Sequence, residues 1–267
     1  MYHELLEDIA QNNRLIHINP VIKLILGIGC IIISVSSQSF VTPLFIALTL
    51  STAIVMIAGI DLKLYLKLLL IPLGFAFLSV LVIIFIRNSG EVILNIQPIS
   101  WLTLNVTTGS LNEGFLILSR VFGGTCSLYF ISLTTPATEL FSLGRRCRIP
   151  DFLIDLSMLI YRFIFVFIEQ AYQIKNAQLM RLGYSRRNEA INSFGMMAGA
   201  LFINTWESGE NLVRAMECRC YDGKFATLND PDVFSVKAFI LVLIYLSATV
   251  IIMNITSDST LFGSLPL

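Results

Sequence analysis

Two arginines stand in matched surroundings, and the chemistry their side chains offer is that of a docking contact. Ala177-Gln-Leu-Met-Arg181-Leu-Gly-Tyr184 and Ala215-Met-Glu-Cys-Arg219-Cys-Tyr221 each place an Arg four residues after an Ala, at the C-terminal end of a helical run and just before a turn. A guanidinium keeps its charge in a half-buried contact and presents five donors in a fixed fork, which suits a partner's carboxylate or backbone carbonyls. One such Arg has a plainer explanation, because a cation near a helix C-terminus is favoured by the macrodipole by about 0.3–1 kcal/mol. The recurrence of the whole context thirty-eight residues later favours docking. Met180, Leu182, Cys218 and Cys220 flank the two guanidiniums and belong to the same candidate contact.

Other chemistry is thinly represented. The five cysteines form no Cys-x-x-Cys pair and no zinc spacing, and only His3 and His17 offer imidazoles. Cys218-Arg-Cys220 puts two thiols around a cation, a poor metal site by the usual ligand counts. Cys30 and Cys126 fall inside apolar segments and read as small apolar residues. The chain has no Gly-x-x-x-x-Gly-Lys-[Ser/Thr], no His-Glu-x-x-His and no Gly-x-Ser-x-Gly, which argues against a P-loop, a zinc protease and a serine hydrolase. Arg120 lies inside an apolar segment, where an ionisable residue is costly: it either serves function or snorkels to the interface. Arg162 is expected to pair with an acidic neighbour and support the fold. A self-sufficient ion carrier or channel would use Arg120 and Arg162 along its path, but the apolar segments lack the run of carboxylates that marks such a path.

The elements that must position these residues are set by composition. The chain is 55% hydrophobic and 13% charged, with a mean hydropathy of +0.78. Crossing a bilayer takes about 20 apolar residues, and five segments approach that length: 21–36, 40–60, 68–86, 115–133 and 233–253. The expectation is an all-α integral membrane protein with about five transmembrane helices and long cytoplasmic helices ending in the Arg motifs. Glu4, Glu7 and Asp8 replace the basic start of a cleavable signal, so the first span reads as a retained anchor. Twelve of the eighteen Lys and Arg residues stand between 134 and 237. Because such residues gather on the cytoplasmic side, that stretch and the N-terminus are placed inside, and the 87–113 link and the C-terminal tail outside, in a cell inner or plasma membrane. The organisation expected is thus a four-span bundle over 1–133, coupling helices over 134–232, and a last span with an outer tail over 233–267. A net charge of zero gives no reason to expect a nucleic-acid partner.

Three local readings refine this picture. Alternation over 92–96 and 101–106 around Gln97-Pro98 predicts a small β-hairpin in the outer link. Ser119, Gly123 and Ser127 form a small-residue ridge that permits close helix packing. Asp155, Arg162, Glu169 and Asn176 recur every seven residues, a narrow polar stripe on a helix predicted to start after Pro150 and to end at Gly183 as its left-handed cap. Two apolar stretches, 151–169 and 190–206, are read as parts of oblique helices, because a spanning hairpin there would put Lys175, Arg181, Arg186 and Arg187 outside. The second long helix is predicted over 192–220, with a Glu210–Arg214 pair one turn apart and Tyr221-Asp222-Gly223 ending it.

These residues resemble the transmembrane T component of energy-coupling factor (ECF) transporters, most closely the CbiQ-type cobalt permease. Arg14-Leu-Ile-His-Ile-Asn-Pro20-Val-Ile-Lys23-Leu is similar to that family's His-Arg-Leu-Asp-Pro-Arg-x-Lys-Leu entry, and Leu133-Thr-Thr-Pro136 to its Thr-Thr-Pro turn. Pro150 followed by Tyr161-Arg162 and Glu169 resembles its Pro…Tyr-Arg-Tyr…Glu helix. The segment 215–223 resembles Ala-Met-x-Ala-Arg-Gly-Tyr-Asp-Gly. The resemblance runs from about residue 14 to 230, and departs where the family favours Ala-Arg-Gly or Ala-Arg-Ser and this chain has Met-Arg-Leu and Cys-Arg-Cys. It implies a non-enzymatic coupling subunit with no cofactor of its own. Two cytoplasmic ABC-type ATPase subunits, carrying ATP and Mg, would receive Arg181 and Arg219. A separate membrane subunit would capture the substrate, cobalt or nickel.

Overall fold

The computed structural model describes residues 13, 15, 18–86, 92–99, 102–146, 148–221 and 235–256. Glu4, Glu7 and Asp8, both histidines, Cys147 and the Asp222-Gly223 turn lie outside the described residues. In chain order the elements are α1 (Pro20–Ser36), α2 (Val41–Thr52, continued by a π-helical turn, Ala53–Ile57), α3 (Leu62–Ile86), β1 (Val92–Ile99), β2 (Leu102–Thr107), α4 (Thr108–Thr134), α5 (Ala137–Arg146), α6 (Asp151–Met180), α7 (Arg187–Cys218) and α8 (Val236–Ile255). They divide into two compact units, Met1–Ala137 with Asp230–Leu267, and Thr138–Asn229.

The first unit holds the apolar helices. Among the described residues α3, α4 and α8 are long and apolar enough to cross a membrane, whereas α1 and the 41–57 run are shorter, about 25 Å each against a hydrocarbon core of about 30 Å. The chain is an all-α membrane protein. Its outward faces are correspondingly greasy: Leu70, Ile71 and Phe75 on α3 are more than 70% exposed, a patch that hydrocarbon tolerates and water does not. Among the described residues the one sheet is the hairpin that the alternation predicts, β1 antiparallel to β2 with Asn95 opposite Asn105 and Ile96 opposite Leu104.

The centre of this unit is the antiparallel pair α1 and α4, held by two cations acting in opposite directions. Asn19 starts α1 by accepting the Val21 N–H, and Pro20 suits its first turn. One turn on, Lys23 is 3% exposed and its Nζ donates to the Thr134 carbonyl at 3.0 Å. Asn13 Nδ2 donates to Leu133 O at 3.2 Å, so the C-terminal carbonyls of α4, which have no intrahelical donor, are met by the chain's own N-terminal segment. At the other end Arg120 of α4 donates through Nε (2.9 Å) and a terminal nitrogen (2.6 Å) to the carbonyl of Ser37, the C-cap of α1. Arg120 is therefore neither free nor snorkelling; it caps a helix.

Between these clasps the backbones approach closely. A methyl group on Gly123 would stand 2.5 Å from Ser34 Oγ and 2.8 Å from the Pro43 carbonyl, which is why the small-residue ridge Ser119, Gly123 and Ser127 is buried. Cys30, Ile46, Ile54, Cys126 and Leu133 fill the interior, and the Tyr65 hydroxyl, 2.7 Å from Ser51 Oγ, donates to Cys126 Sγ at 3.2 Å. The last helix runs parallel to α1: Leu246 packs on Gly29, and Thr256 Oγ1 lies 3.0 Å from Ser39 Oγ and 3.2 Å from Thr42 Oγ1 at the α1–α2 turn.

The second unit is α5, α6 and α7. At 30 and 32 residues, α6 and α7 are about 45 and 48 Å long. The start of α6 after Pro150 is as expected. Asp155, the first member of the polar stripe, is buried, and its carboxylate is paired at 2.7 Å with Arg145 of α5, which also reaches Asp151 at 3.5 Å. The pairing expected of Arg162 is not found: it is exposed and has no ion pair among the described residues. Helix α7 begins at Arg187, five residues earlier than expected, because Ser185 bonds Glu189 across its first turn and Ala190 N–H reaches Arg186 O.

Replacing Lys23 by Met keeps a stem of similar bulk but strips a donor from the α4 terminus. A hydrogen bond to a charged group is worth about 1.5–3 kcal/mol. The expected result in detergent-solubilised protein is a destabilisation of about that size for Lys23→Met, and under about 0.5 kcal/mol for exposed Lys63→Met, read from denaturant or thermal midpoints.

Candidate functional site

Both Arg-bearing ends close in the same way. Arg181 is the C-cap of α6 (φ −97°, ψ 15°) and Arg219 the C-cap of α7 (φ −97°, ψ 14°). The next residue lies in the left-handed region in each case, Leu182 at φ 59° and Cys220 at φ 54°. Leu182 N–H then reaches Leu179 O (3.0 Å) and Gly183 N–H reaches Gln178 O (2.9 Å); Cys220 N–H reaches Glu217 O (3.0 Å) and Tyr221 N–H reaches Met216 O (3.1 Å). These paired bonds are the Schellman closure, which the end of α5 shares: Arg148 lies at φ 60°, its N–H reaches Arg145 O (3.3 Å) and Ile149 N–H reaches Gly144 O (3.2 Å). The left-handed residue expected at Gly183 is therefore Leu182, one position earlier.

Gly183 is instead spent on close approach. A methyl there would lie 2.6 Å from Ser193 Oγ and 3.1 Å from the Gln178 carbonyl. Ser193, buried in the second turn of α7, donates to Gly183 O at 2.7 Å; Gln178 Nε2 donates to Ser193 O at 2.8 Å; and the Tyr184 hydroxyl donates to Gln178 Oε1 at 2.9 Å. None of these three side chains was singled out by sequence, since each has a backbone or side-chain partner that leaves no spacing pattern.

All six candidate contact residues are solvent-facing. Met180 is 89% and Leu182 73% exposed, and Arg181, Cys218, Arg219 and Cys220 are exposed too. Neither arginine forms an ion pair among the described residues. Ser193 ties Arg181's turn to the start of α7, and Arg219 stands at the far end of that helix, about 26 residues beyond Ser193 and so about 40 Å along it. Along the way α7 displays Phe202, Trp206, Gly209 and Val213 beside the Glu210–Arg214 pair (3.4 Å), lining a groove of about 530 Å³. The arrangement offers two charged forks on one elongated body with an apolar strip between them.

Residues 11–230 match the family described as CbiQ, cobalt transport protein. The chain belongs to that family. Over 222 residues, 83% of its length, it is 45% identical to a putative fused cobalt transport protein CbiMQ of Methanocorpusculum labreanum, of whose length it spans 37%. It is 24% identical to the cobalt transport protein CbiQ of Salmonella typhimurium over 82% of this chain and 98% of that one. It is also 28% identical to the energy-coupling factor transporter transmembrane protein EcfT of Thermosediminibacter oceani, over 79% and 82% of the two chains. Two of the motifs that carry the resemblance to CbiQ meet in space: Lys23 of the entry segment binds the carbonyl of Thr134, which opens the Thr-Thr-Pro turn.

Left-handed backbone costs a residue with a Cβ about 1–2 kcal/mol that glycine avoids. The family pattern has Gly at the position of Cys220. Leu182→Gly and Cys220→Gly are each expected to stabilise the protein by about 1 kcal/mol, an outcome that chemical denaturation followed by circular dichroism would check.

Proposed function

We propose that this chain is the energy-coupling transmembrane subunit of an ECF-type importer for a divalent cation, cobalt before nickel. Arg181 and Arg219 seat in the grooves of two cytoplasmic ATPase subunits, one each. ATP-driven closure of that pair moves the two helix ends, and α6 and α7 pass the displacement to a separate membrane subunit that captures the ion. The chain itself catalyses no reaction; ATP and Mg belong to the ATPases and the transported ion to the capture subunit. Its N-terminus and the 134–232 stretch face the cytoplasm.

The observation that supports this most is the matched pair of Arg C-caps: α6 and α7 each close so as to present an exposed guanidinium with no ion pair among the described residues, the two standing about 40 Å apart along the length of α7. A single cation capping a dipole needs neither the repetition nor the exposure. The exposed strip on α7 from Phe202 to Val213 supplies an apolar face for the capture subunit. The relative in which CbiQ is fused within a CbiMQ chain supports a membrane partner held close by. The competing reading, a carrier that conducts ions by itself, loses its intramembrane residue, because the Arg120 fork is engaged by Ser37 O.

Reversing both charges, Arg181→Glu with Arg219→Glu, is expected to leave the protein membrane-inserted while abolishing co-purification of the ATPases and ion uptake. Uptake at the wild-type rate would refute the proposal. In liposomes carrying this chain alone, no flux of radioactive cobalt or nickel above the protein-free background is expected; flux without ATP or partners would favour the carrier reading.

A further inference from the structure

Arg181 is useful as a mechanical contact only if its helix end cannot swing independently of the helix that follows. The link between α6 and α7 is six residues long, 181–186, enough for a flexible joint. It is not built as one. Three side chains cross it and each bond leads to the next: Tyr184 hydroxyl to Gln178 Oε1, Gln178 Nε2 to Ser193 O, Ser193 Oγ back to Gly183 O. The loop of bonds joins the last turn of α6, the link and the second turn of α7. Gly183 is the residue through which the backbone can come close enough, since any Cβ would enter the space of Ser193 Oγ.

We propose that Gln178, Tyr184 and Ser193 are positioning residues that weld α6 and α7 into a rigid corner and thereby fix the direction in which Arg181 is presented. This deepens the coupling reading above and rests on it. Arg181 is bracketed by the weld, two residues before Gly183 and three after Gln178, so its backbone cannot rotate without breaking one of these bonds. A rigid corner also means that a push on Arg181 is delivered to the beginning of α7 instead of being absorbed by the link, which is what transmission through a helix pair requires. The exposed side chains beside it, Met180 and Leu182, take no part in the weld and remain available to a partner.

The test uses the full chain in lipid nanodiscs for hydrogen–deuterium exchange, and the complete transporter with its ATPases in proteoliposomes for ions imported per ATP hydrolysed. Ser193→Ala is expected to raise amide exchange over 181–186 by roughly three- to tenfold, the loss of about one hydrogen bond, with no change over 216–221. It is also expected to lower the ion-to-ATP ratio while the ATPases remain bound. Gly183→Ala should do the same by pushing Ser193 away. Because both act on one contact, Gly183→Ala with Ser193→Ala should be no worse than the worse single variant. Tyr184→Phe removes one hydroxyl and keeps the ring, so it provides a mild variant with a smaller change of the same sign. Raised exchange with an unaltered ion-to-ATP ratio would overturn the positioning role and leave the coupling role standing. So would unchanged exchange, or a ratio that falls only as bound ATPase is lost. Wild-type uptake by the Arg181→Glu, Arg219→Glu protein would instead remove the coupling reading, whatever the exchange shows.

Discussion

A helix that ends in or near hydrocarbon exposes carbonyls that no donor of its own can reach, and water is scarce where they are. In this protein two such ends lie on neighbouring antiparallel helices, and each is met by a cation from the other helix or its approach. Lys23 near the start of α1 serves the last turn of α4, and Arg120 midway along α4 serves the last turn of α1. The contacts are favoured three times over: they satisfy an acceptor, they place positive charge at the negative end of a helix dipole, and they desolvate the cation only against a group that needs it. They also fix register. With both ends clasped, Gly27 must face Ile131 and Gly123 must face Ser34 and Pro43, and neither glycine could slide by one residue without driving a Cβ into its neighbour. Since α4 also packs on α3, through Gly114 against Val80 and Ile84 and through the Tyr129 hydroxyl on Leu68 O, the pair serves as the frame on which the other apolar helices are arranged.

How much of this was legible in the sequence depended on what kind of partner each residue had. The apolar helices, the hairpin around Gln97-Pro98 and the start of α6 after Pro150 follow from local composition, period and turn chemistry, and the structure has them. The Glu210–Arg214 pair, one turn apart, was readable for the same reason. The cation clasps were not, because their acceptors are backbone carbonyls 111 and 83 residues away and every residue has one. Arg120 could be recognised as costly, but not as a cap. The stripe of Asp155, Arg162, Glu169 and Asn176 misled in one respect: a heptad on a single helix invites pairing along that helix, while Asp155 is bound by Arg145 from the short helix before it. The left-handed residue was misplaced because glycine is the usual occupant. Here the link has one glycine and two demands, a left-handed turn and a close approach to Ser193, and the steric demand takes it.

That allocation bears on the Arg motifs themselves. At Leu182 and Cys220 the backbone is one that glycine would adopt with less strain, and neither side chain is buried within the chain, so internal packing does not repay the cost. On the coupling reading the repayment comes from outside. A side chain at the left-handed position stands immediately beside the guanidinium and contributes to whatever surface receives it. The two ends then differ in chemistry although they share a conformation: Arg181 is rimmed by the large apolar Met180 and Leu182, Arg219 by the small thiols Cys218 and Cys220. An apolar rim excludes water and strengthens a charged contact by lowering the local dielectric, whereas a rim of small side chains leaves the Arg219 fork more accessible and more hydrated. If two copies of one ATPase receive these ends, the same groove must accept both rims, and the tighter seat falls to Arg181, whose turn Ser193 ties to the next helix.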